Sequence, residues 1–363
     1  MSKISSLEII PYRLPLKGAL AWGKFSSMNV AEHVLVKVSL ENGVSGMAEA
    51  PPRPTIYGET ISSMRGMLEF LQPRLCELEI DDAGSFKTVL SSVPNNNVFK
   101  GALDMALWDA RAKSSGSDLF SALAGSNSSI AVSYILGISD TNTMLEEARR
   151  VIDAGVRVLK VKVGRNYTKD LEVIAQLQTE FSSSGVRLYA DSNETLEPET
   201  APKILEAMGN AGLLYVEEPL PVRQIRARAN LRKLEILPII ADDSCFTKAD
   251  LERELDFDTF DILNIKTARN GFTESLEMIE LATQAGKGIM IGSQASTTLG
   301  TIHAAIISSR IEVTHPCELS FFLKLESEVV NRIPRLENGF LKLETLKGIE
   351  IDPEKLTFHS IQL

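Results

Sequence analysis

Charged side chains end five apolar segments between residues 160 and 266. The endings are, in order, Lys160 with Lys162, Asp191 with Asn193, Glu217 with Glu218, Asp242 with Asp243, and Lys266. Counted from Lys162, the steps are 29, 26, 25 and 24 residues. Such an interval holds one strand, one helix and two loops, so each ending is predicted to lie at the C-terminal end of a successive parallel strand. In a (β/α)8 barrel these ends open on one mouth, where the charged groups would converge.

Three of the acids, Asp191, Glu217 and Asp242, are predicted to bind a divalent metal ion. Mg2+ takes oxygen ligands and keeps positions for water or substrate, and Mn2+ is the alternative ion. The neighbouring Asn193 and Asp243 are expected to support these ligands rather than to bind the ion. Taken singly, such an acid is more often a solvated loop residue or a helix N-cap, so the prediction depends on the joint spacing.

Two lysines, Lys162 and Lys266, are predicted to face each other across the barrel. Amines on opposite sides of one carbon can take a proton from one face and return it to the other. For that, the pKa of a lysine must fall from about 10.4 to roughly 7–8. Lys160 lies two residues from Lys162 and faces the same side of the strand, into the mouth. The alternative for Lys160 is a structural ion pair with the acids.

The predicted chemistry is abstraction of a proton α to a carboxylate. A metal ion and an ammonium group at the mouth would stabilise the second negative charge of the enediolate that forms when this proton leaves. A small-molecule carboxylate is therefore the expected partner.

Composition excludes several other classes of protein. The 363 residues are 44% hydrophobic and 24% charged, as in an ordinary globular protein, and the net charge of -10 argues against nucleic-acid binding. No run of about eighteen apolar residues and no secretory signal is present, so no membrane partner and a cytoplasmic location are expected. The three cysteines and four histidines have no metal-binding spacing, which leaves oxygen ligands for any metal.

The order of elements predicts an α/β protein with a modified (β/α)8 barrel of seven or eight units. Residues 1–125 read as antiparallel strands followed by two helices, at 59–79 and 100–113, which form an α+β capping domain. Residues 126–320 alternate strand and helix, with an eighth strand beginning near Val313. Residues 321–363 contain hairpin-like strands and are predicted to return to the cap, so that cap and barrel share a cleft.

The motifs resemble those of the enolase superfamily, specifically the muconate lactonizing enzyme subgroup, over nearly the whole chain. They are KVKVG at Lys160, ADSN at Asp191, VEEP at Glu217, ADDS at Asp242 and NIKTARNG at Lys266. The resemblance implies that Lys162 and Lys266 are the acid/base pair, that the three acids bind Mg2+ and that Lys160 assists at the substrate carboxylate. It also implies a homo-oligomer.

The residues of the substrate shell depart from the subgroup's patterns. The segment GMAEAPPRPTIYGET is similar to the cap loop of dipeptide epimerases, which favours that activity. Dipeptide epimerases usually carry Asp-x-Asp after the eighth strand to hold the substrate ammonium, whereas Glu318-Leu319-Ser320 stands here. Ser296 occupies a place where an acid is common, and Asp243 replaces a usual Glu. Glu318 and Ser296 are therefore predicted to contact substrate.

Four residues of the cap, Trp22, Phe25, Arg53 and Tyr57, are predicted to face the substrate from loops in the 20s and 50s. The alternative is that such side chains belong to the core of the cap.

Three functions remain open from the sequence. The favoured one is Mg2+-dependent epimerisation or racemisation of a dipeptide or N-acyl amino acid. The alternative within the same chemistry is muconate-type cycloisomerisation or o-succinylbenzoate synthesis. A binding protein with a non-catalytic barrel is the alternative of another class.

Overall fold

The computed structural model describes residues 2–362. The chain begins with an antiparallel sheet in the order β1-β2-β3, formed by β1 (Ile4–Trp22), β2 (Ser26–Leu40) and β3 (Ser45–Ala50). Gly43 takes a φ of 83° in the turn between β2 and β3, and the Asn42 side chain accepts a hydrogen bond from the backbone of Val44. The Asn-Gly pair thus makes the predicted hairpin turn.

The rest of the cap is helical. Its helices are α1 (Pro54–Tyr57), α2 (Ile61–Leu75), α3 (Ala83–Ser91), α4 (Asn97–Ser114) and α5 (Leu119–Leu123). The longest helix, α4, packs on β3 at Gly46, where a Cβ atom would lie 2.0 Å from the carbonyl oxygen of Ala106. Glycine at this position therefore lets the helix and the sheet approach closely. Helix α4 ends just before Gly116, which has a φ of 74°.

Strands and helices alternate through the barrel. In chain order the elements are β4 (Ser129–Ala131), β5 (Ser133–Leu136), α6 (Thr141–Asp153), β6 (Val158–Lys162), α7 (Tyr167–Phe181), β7 (Arg187–Asp191), α8 (Ala201–Asn210), β8 (Val216–Glu217), α9 (Ile225–Arg232), β9 (Ile239–Ala241), α10 (Lys248–Phe257), β10 (Ile262–Ile265), α11 (Thr267–Gln284), β11 (Gly288–Ile291) and α12 (Thr298–Ser308). Seven strands, β5 to β11, form one parallel sheet in chain order. The predicted modified barrel with an α+β cap is confirmed.

The eighth strand expected near Val313 does not form. Instead, the backbone of Cys317 makes a single parallel bridge to Val132, beside β5. The amide of Glu318 donates to the carbonyl of Ile291 at 2.9 Å, so the same segment also reaches β11. Pro316 precedes it and has no amide hydrogen to extend the ladder, which is why the ring closes through one bridge rather than a strand.

The C-terminal tail divides its contacts between barrel and cap. Strands β12 (Leu336–Glu337) and β13 (Phe340–Lys342) form a hairpin that pairs with β4. Helix α13 (Pro353–His359) packs on β1, and isolated bridges join Leu325 and Ser360 to β1. The predicted hairpin thus pairs with the barrel strand β4, and the segments that flank it touch the cap.

The inside of the barrel is arranged in layers, because side chains alternate between the two faces of each strand. One apolar cluster contains one residue from each of six neighbouring strand segments, β6 to β11: Val158, Tyr189, Tyr215, Ile240, Ile262 and Met290. Because side chains two residues apart face the same side of a strand, the next inward residues form a layer directly above this cluster. That layer is polar. Within residues 2–362, no helix combines the length and apolarity needed to cross a membrane.

Candidate active site

The polar layer consists of the residues two positions beyond the apolar cluster. Its members are Lys160, Asp191, Glu217, Asp242 and Asn264, all of them buried. Asp191 and Glu217 are direct partners in the register of β7 and β8, and Asp242 follows β9 immediately. Three carboxylates therefore lie side by side at the C-terminal ends of consecutive strands.

Lys160 lies at the centre of this layer as an ion-paired ammonium group. Its Nζ atom is 2.8 Å from Asp191, 2.7 Å from Glu217 and 2.5 Å from Glu318. Only 2% of its side chain is exposed. Burial lowers the pKa of Lys160, but the surrounding carboxylates outweigh burial and hold the pKa well above its usual value.

Lys162 and Lys266 form the next layer, each paired with a different acid. The Nζ atom of Lys162 donates to Asp191 at 2.5 Å and to the side-chain oxygen of Asn193 at 3.0 Å. The Nζ atom of Lys266 donates to Asp242 at 2.5 Å. Lys162 ends β6 and Lys266 follows β10, four places away in a ring of seven strands closed by the Cys317 bridge. The two amines thus approach the mouth from opposite sides.

The donor set fits a hard divalent cation, although the side chains are not already gathered around one point. Among residues 2–362, no three His, Cys, Asp or Glu side chains are arranged so that they could already hold a metal ion. Glu217 nevertheless keeps one buried carboxylate oxygen, Oε2, without a hydrogen-bond partner. Burial and then the charges of neighbouring carboxylates, opposed by Lys160, raise the pKa of Glu217 well above its usual value. An unpaired buried oxygen among like charges is what an added cation would relieve.

Charge pairing separates the pKa values of the other acids. Burial would raise the pKa of Asp191, but the ammonium groups of Lys160 and Lys162 lower it to about 2. Burial would also raise the pKa of Asp242, but the charges of Lys266 and Arg269 outweigh burial and lower it. These two carboxylates are therefore ionised near neutral pH.

Two further groups at the mouth have raised pKa values. Burial and then the charge of Asp242 raise the pKa of Asp243 to about 7. Burial lowers the pKa of Lys266, but Asp242 outweighs burial and raises it. The shift of Lys266 is opposite in direction to the fall that a catalytic lysine requires, because the carboxylate beside it stabilises the ammonium form.

A cavity of about 640 Å3 lies between these charged layers and the cap. Nine of the residues predicted from the sequence line it: Trp22, Phe25, Arg53, Tyr57, Lys162, Asn193, Asp242, Asp243 and Lys266. Asp243, which was expected to support the ligands rather than to bind the ion, lines the cavity. Phe25 is 93% exposed and so lies at the outer rim. The cap and the barrel therefore enclose one site.

Five other predicted residues do not line this cavity. Lys160, Asp191 and Glu217 lie in the layer beneath it. Glu318 is buried there too, where it pairs with Lys160 and accepts a hydrogen bond from the backbone of Ser293. Ser296 faces helix α12: a Cβ atom on Gly300 would lie 2.8 Å from its own Cβ. Ser296 and Glu318 are thus not among the residues that line the cavity, and their contact with a substrate stays a prediction.

Arg53 and Tyr57 join the cap to the loop after β11. The guanidinium group of Arg53 donates to the carbonyls of Gln294 and Ala295, at 2.8 and 3.3 Å. The hydroxyl of Tyr57 accepts a hydrogen bond from the side chain of Gln294 at 2.7 Å. Arg53 is buried, and its guanidinium group donates its hydrogen bonds to backbone carbonyls. It therefore shapes the cavity wall and has few donors left for a ligand.

Some residues of the site were missed from the sequence. Asn264 donates to Glu217 at 3.2 Å, and Arg269 lies 3.4 Å from Asp242. Asn264 could have been found, because it lies two residues before Lys266, whose backbone is still extended, and so shares its face. Arg269 lies on a helix with a kink at Gly271, and no spacing rule indicates that it turns back to Asp242.

Comparison with known proteins shows the family of this chain. Residues 143–355 match the family described as enolase C-terminal domain-like, and residues 11–124 match the N-terminal domain of mandelate racemase / muconate lactonizing enzyme. An L-amino acid-D/L-Glu epimerase of Francisella philomiragia is 25% identical, over 86% of this chain and 89% of that protein. An o-succinylbenzoate synthase of Geobacillus kaustophilus is 28% identical, over 91% of this chain and 88% of that protein.

Solved structures share the whole architecture. A muconate lactonizing enzyme of Mycobacterium smegmatis in complex with muconolactone superposes with a TM-score of 0.93 and 32% identity, over 99% of this chain and 100% of that one. A dipeptide epimerase of Enterococcus faecalis with Mg and L-Leu-L-Tyr superposes with a TM-score of 0.87 and 24% identity, over 94% and 97%, and shows the fold alone. The chain is therefore an isomerase-type member of the enolase superfamily, in the mandelate racemase / muconate lactonizing enzyme group.

Proposed function

We propose that this protein is a Mg2+-dependent enzyme that removes a proton from the carbon α to a substrate carboxylate and returns it to the opposite face. The observation that carries the proposal is the placement of Lys162 and Lys266 on opposite sides of one cavity, each within 2.5 Å of a different buried acid. A carbon held between the two amines could exchange a proton on either face.

In this mechanism, three acids hold the cation and two lysines transfer the proton. Asp191, Glu217 and Asp242 would hold the cation, which when bound stabilises the negative charge that develops on the substrate carboxylate. One lysine accepts the α-proton at its Nζ atom, and the other donates a proton at its Nζ atom. The carboxylate of Asp242 now attracts the ammonium form of Lys266 and raises its pKa. If Asp242 held a cation, this attraction would be weaker and the pKa of Lys266 would fall, as a proton acceptor requires.

Lys160 is proposed to assist at the substrate carboxylate through its charge. Its ammonium group is buried beneath the cavity and touches Asp191 and Glu217. A fixed positive charge among these acids reduces their mutual repulsion and favours the approach of an anionic substrate. Asn193 orients Lys162 by accepting a hydrogen bond from its Nζ atom at Oδ1.

The proposed substrate class is an N-acylated amino acid, dipeptides included, and the proposed reaction is racemisation or epimerisation. Relatives support this class, since they include an L-amino acid-D/L-Glu epimerase and a hydrophobic dipeptide epimerase. Within this class, Glu318 favours amino acids with an N-acyl group over dipeptides, which have a free ammonium group. Because its carboxylate is committed to Lys160 and Ser293, it is not free to hold a substrate ammonium group.

Cycloisomerisation of a muconate-type dicarboxylate is the second candidate. It is favoured by the 32% identity, over 99% of the chain, to the muconate lactonizing enzyme of Mycobacterium smegmatis. The same lysines and acids would serve that reaction, so the catalytic layer itself does not separate the two candidates.

Proton NMR in D2O with Mg2+ separates them. N-succinyl amino acids, L,L-dipeptides and cis,cis-muconate are incubated with the enzyme, and the signal of the α-proton is followed. Deuterium entering the α-position with formation of both stereoisomers supports the proposal. A lactone from muconate, without α-exchange in any amino acid, supports the second candidate instead. If Lys162→Ala and Lys266→Ala leave every observed activity unchanged, the lysines are not catalytic and a binding role is favoured.

A further inference from the structure

Glu218 follows the candidate metal ligand Glu217 but turns away from the cavity. It has a φ of 40°, in the left-handed region that non-glycine residues rarely adopt. Its side chain is buried and does not line the cavity. A buried acid in a strained backbone conformation needs partners that hold it there.

Those partners belong to the turn that carries Asp242. Oε2 of Glu218 accepts hydrogen bonds from the amide of Asp242 at 2.8 Å, the amide of Ser244 at 3.0 Å and the hydroxyl of Ser244 at 3.0 Å. One carboxylate oxygen thus fixes both sides of Asp243 in the backbone after β9. The orientation of the Asp242 carboxylate depends on this backbone.

A second layer of charge holds Glu218 in place from behind. Nη2 of Arg228, on helix α9, lies 3.0 Å from Oε1 of Glu218 as an ion pair that is not aligned as a hydrogen bond. Nη1 of Arg228 donates to Glu254 at 2.6 Å, and Thr259 donates to the same oxygen of Glu254 at 2.5 Å. All four side chains are buried. The network therefore spans helices α9 and α10 behind the site.

We propose that Glu218 is a positioning residue that sets the affinity of the site for the divalent cation by fixing the backbone of Asp242 and Ser244. The inference rests on the proposed function, because it takes Asp242 as a metal ligand. Partners that orient a ligand typically change metal affinity by about 10- to 100-fold when they are lost. Glu218 itself does not line the cavity.

The opposite end of β9 offers a matched control. There Oδ2 of Asp261 accepts a hydrogen bond from the amide of Ile239 at 2.9 Å, and Asp261 pairs with Arg232 at 3.0 Å. The chemistry is the same, a carboxylate that binds a β9-segment amide and an arginine of α9, but it lies at the end of β9 away from the mouth. Loss of Asp261 should therefore weaken the fold without affecting the cation.

The test compares Glu218→Ala, Glu218→Gln and Asp261→Ala by titration calorimetry with MgCl2 alone and by thermal unfolding. Glu218→Ala is expected to raise the Kd for Mg2+ at least about tenfold. Glu218→Gln keeps an acceptor oxygen for the two amides, so its Kd should lie between those of the wild type and the alanine variant. Asp261→Ala should lower the Tm and leave the Kd unchanged. A Kd in Glu218→Ala within about twofold of wild type, or an equal loss in Asp261→Ala, overturns the inference.

Amide hydrogen exchange distinguishes failure of this inference from failure of the proposed function. If the wild type binds no Mg2+, the proposed function fails, and the exchange rates of the Asp242 and Ser244 amides still decide the role of Glu218. Faster exchange at both amides in Glu218→Ala, with wild-type rates in Asp261→Ala, supports positioning, and unchanged rates refute it. Should Glu218→Ala not fold, Ser244→Ala removes one bond to Glu218 and is expected to raise the Kd about threefold. An unchanged Kd in that variant counts against the inference.

Discussion

The two lysines of the site have different surroundings, although each lies about equally deep in the mouth. Lys162 touches one acid and one neutral amide, Asp191 and Asn193. Lys266 touches Asp242, whose other oxygen lies 3.4 Å from Arg269. Each amine shares its acid with another cation, Lys160 at Asp191 and Arg269 at Asp242, but only the first amine also has a hydrogen-bond acceptor that carries no charge. Equivalent positions in a barrel need not give equivalent acid/base groups.

Different parts of the cap cover the two halves of the site. The loop at Gly23 lies over the Lys162 half: a Cβ atom on Gly23 would be 3.8 Å from the Cβ of Asn193. Arg165 ties this loop down by donating to the carbonyls of Gly23 and Ser26. Tyr57 covers the Lys266 half, with its ring 5.1 Å from that of Phe246. A substrate between the lysines would therefore meet one loop on each side.

The largest expected effect separates the two halves directly. Lys162→Ala and Lys266→Ala should each reduce epimerisation by at least about a thousandfold, because each removes the proton donor or acceptor for one face of the α-carbon. Each variant should still exchange the α-proton of one stereoisomer with D2O, and the two variants should differ in which one. NMR of the separate stereoisomers measures this. Loss of all exchange in both variants would show that the lysines do not act on separate faces.

Removal of the cation should affect both halves alike. Treatment with EDTA is expected to abolish exchange of both stereoisomers, and added Mg2+ should restore it. Glu217→Gln should weaken Mg2+ binding at least about tenfold, since it removes the charge of the middle ligand. Calorimetry with MgCl2 measures the change, and Glu337→Gln, at an exposed position on the tail hairpin, is the control. If one stereoisomer still exchanged its α-proton after chelation, the cation would not serve both halves of the site.

A smaller effect should sharpen the asymmetry between the lysines. Asn193→Ala removes one hydrogen bond from Lys162 and is expected to slow exchange of the Lys162-dependent stereoisomer by about tenfold. Arg269→Met should act on the other stereoisomer, because it removes a cation from Asp242. The ratio of the two exchange rates in each variant is the readout. A similar change in both rates for either variant would argue that the halves are coupled through the substrate rather than separate.

The smallest effect is expected from the cap. Arg165→Met removes two hydrogen bonds to the loop at Gly23 and should raise KM about threefold while leaving kcat within about twofold of wild type. Steady-state kinetics with the best substrate measures both constants. Arg149→Met, which breaks an exposed pair with Glu180, is the control. A fall in kcat without a change in KM would place the loop in the chemical step instead.

The sequence alone determined the layer of charged groups and the architecture that carries it. The interval between the charged endings is the length of one strand-helix unit, and inward residues recur every second position along a strand, so local geometry fixes both. For the same reason the spacing of Asp191, Glu217 and Asp242 suffices to assign them to neighbouring strands. The absence of the eighth strand was less accessible, because Val313 lies at the expected interval for a strand but Pro316 interrupts the hydrogen bonding of its segment.

Only the tertiary structure decided which groups are free to meet a substrate. Glu318 and Arg53 have the side chains of substrate ligands, yet one is committed to Lys160 and the other to backbone carbonyls 241 and 242 residues away in the chain. Glu218 and Asp243 each follow a candidate ligand, yet one turns behind the site and the other into it. Sequence spacing fixes the face of a strand, but partners brought from distant elements decide whether a polar group is already satisfied.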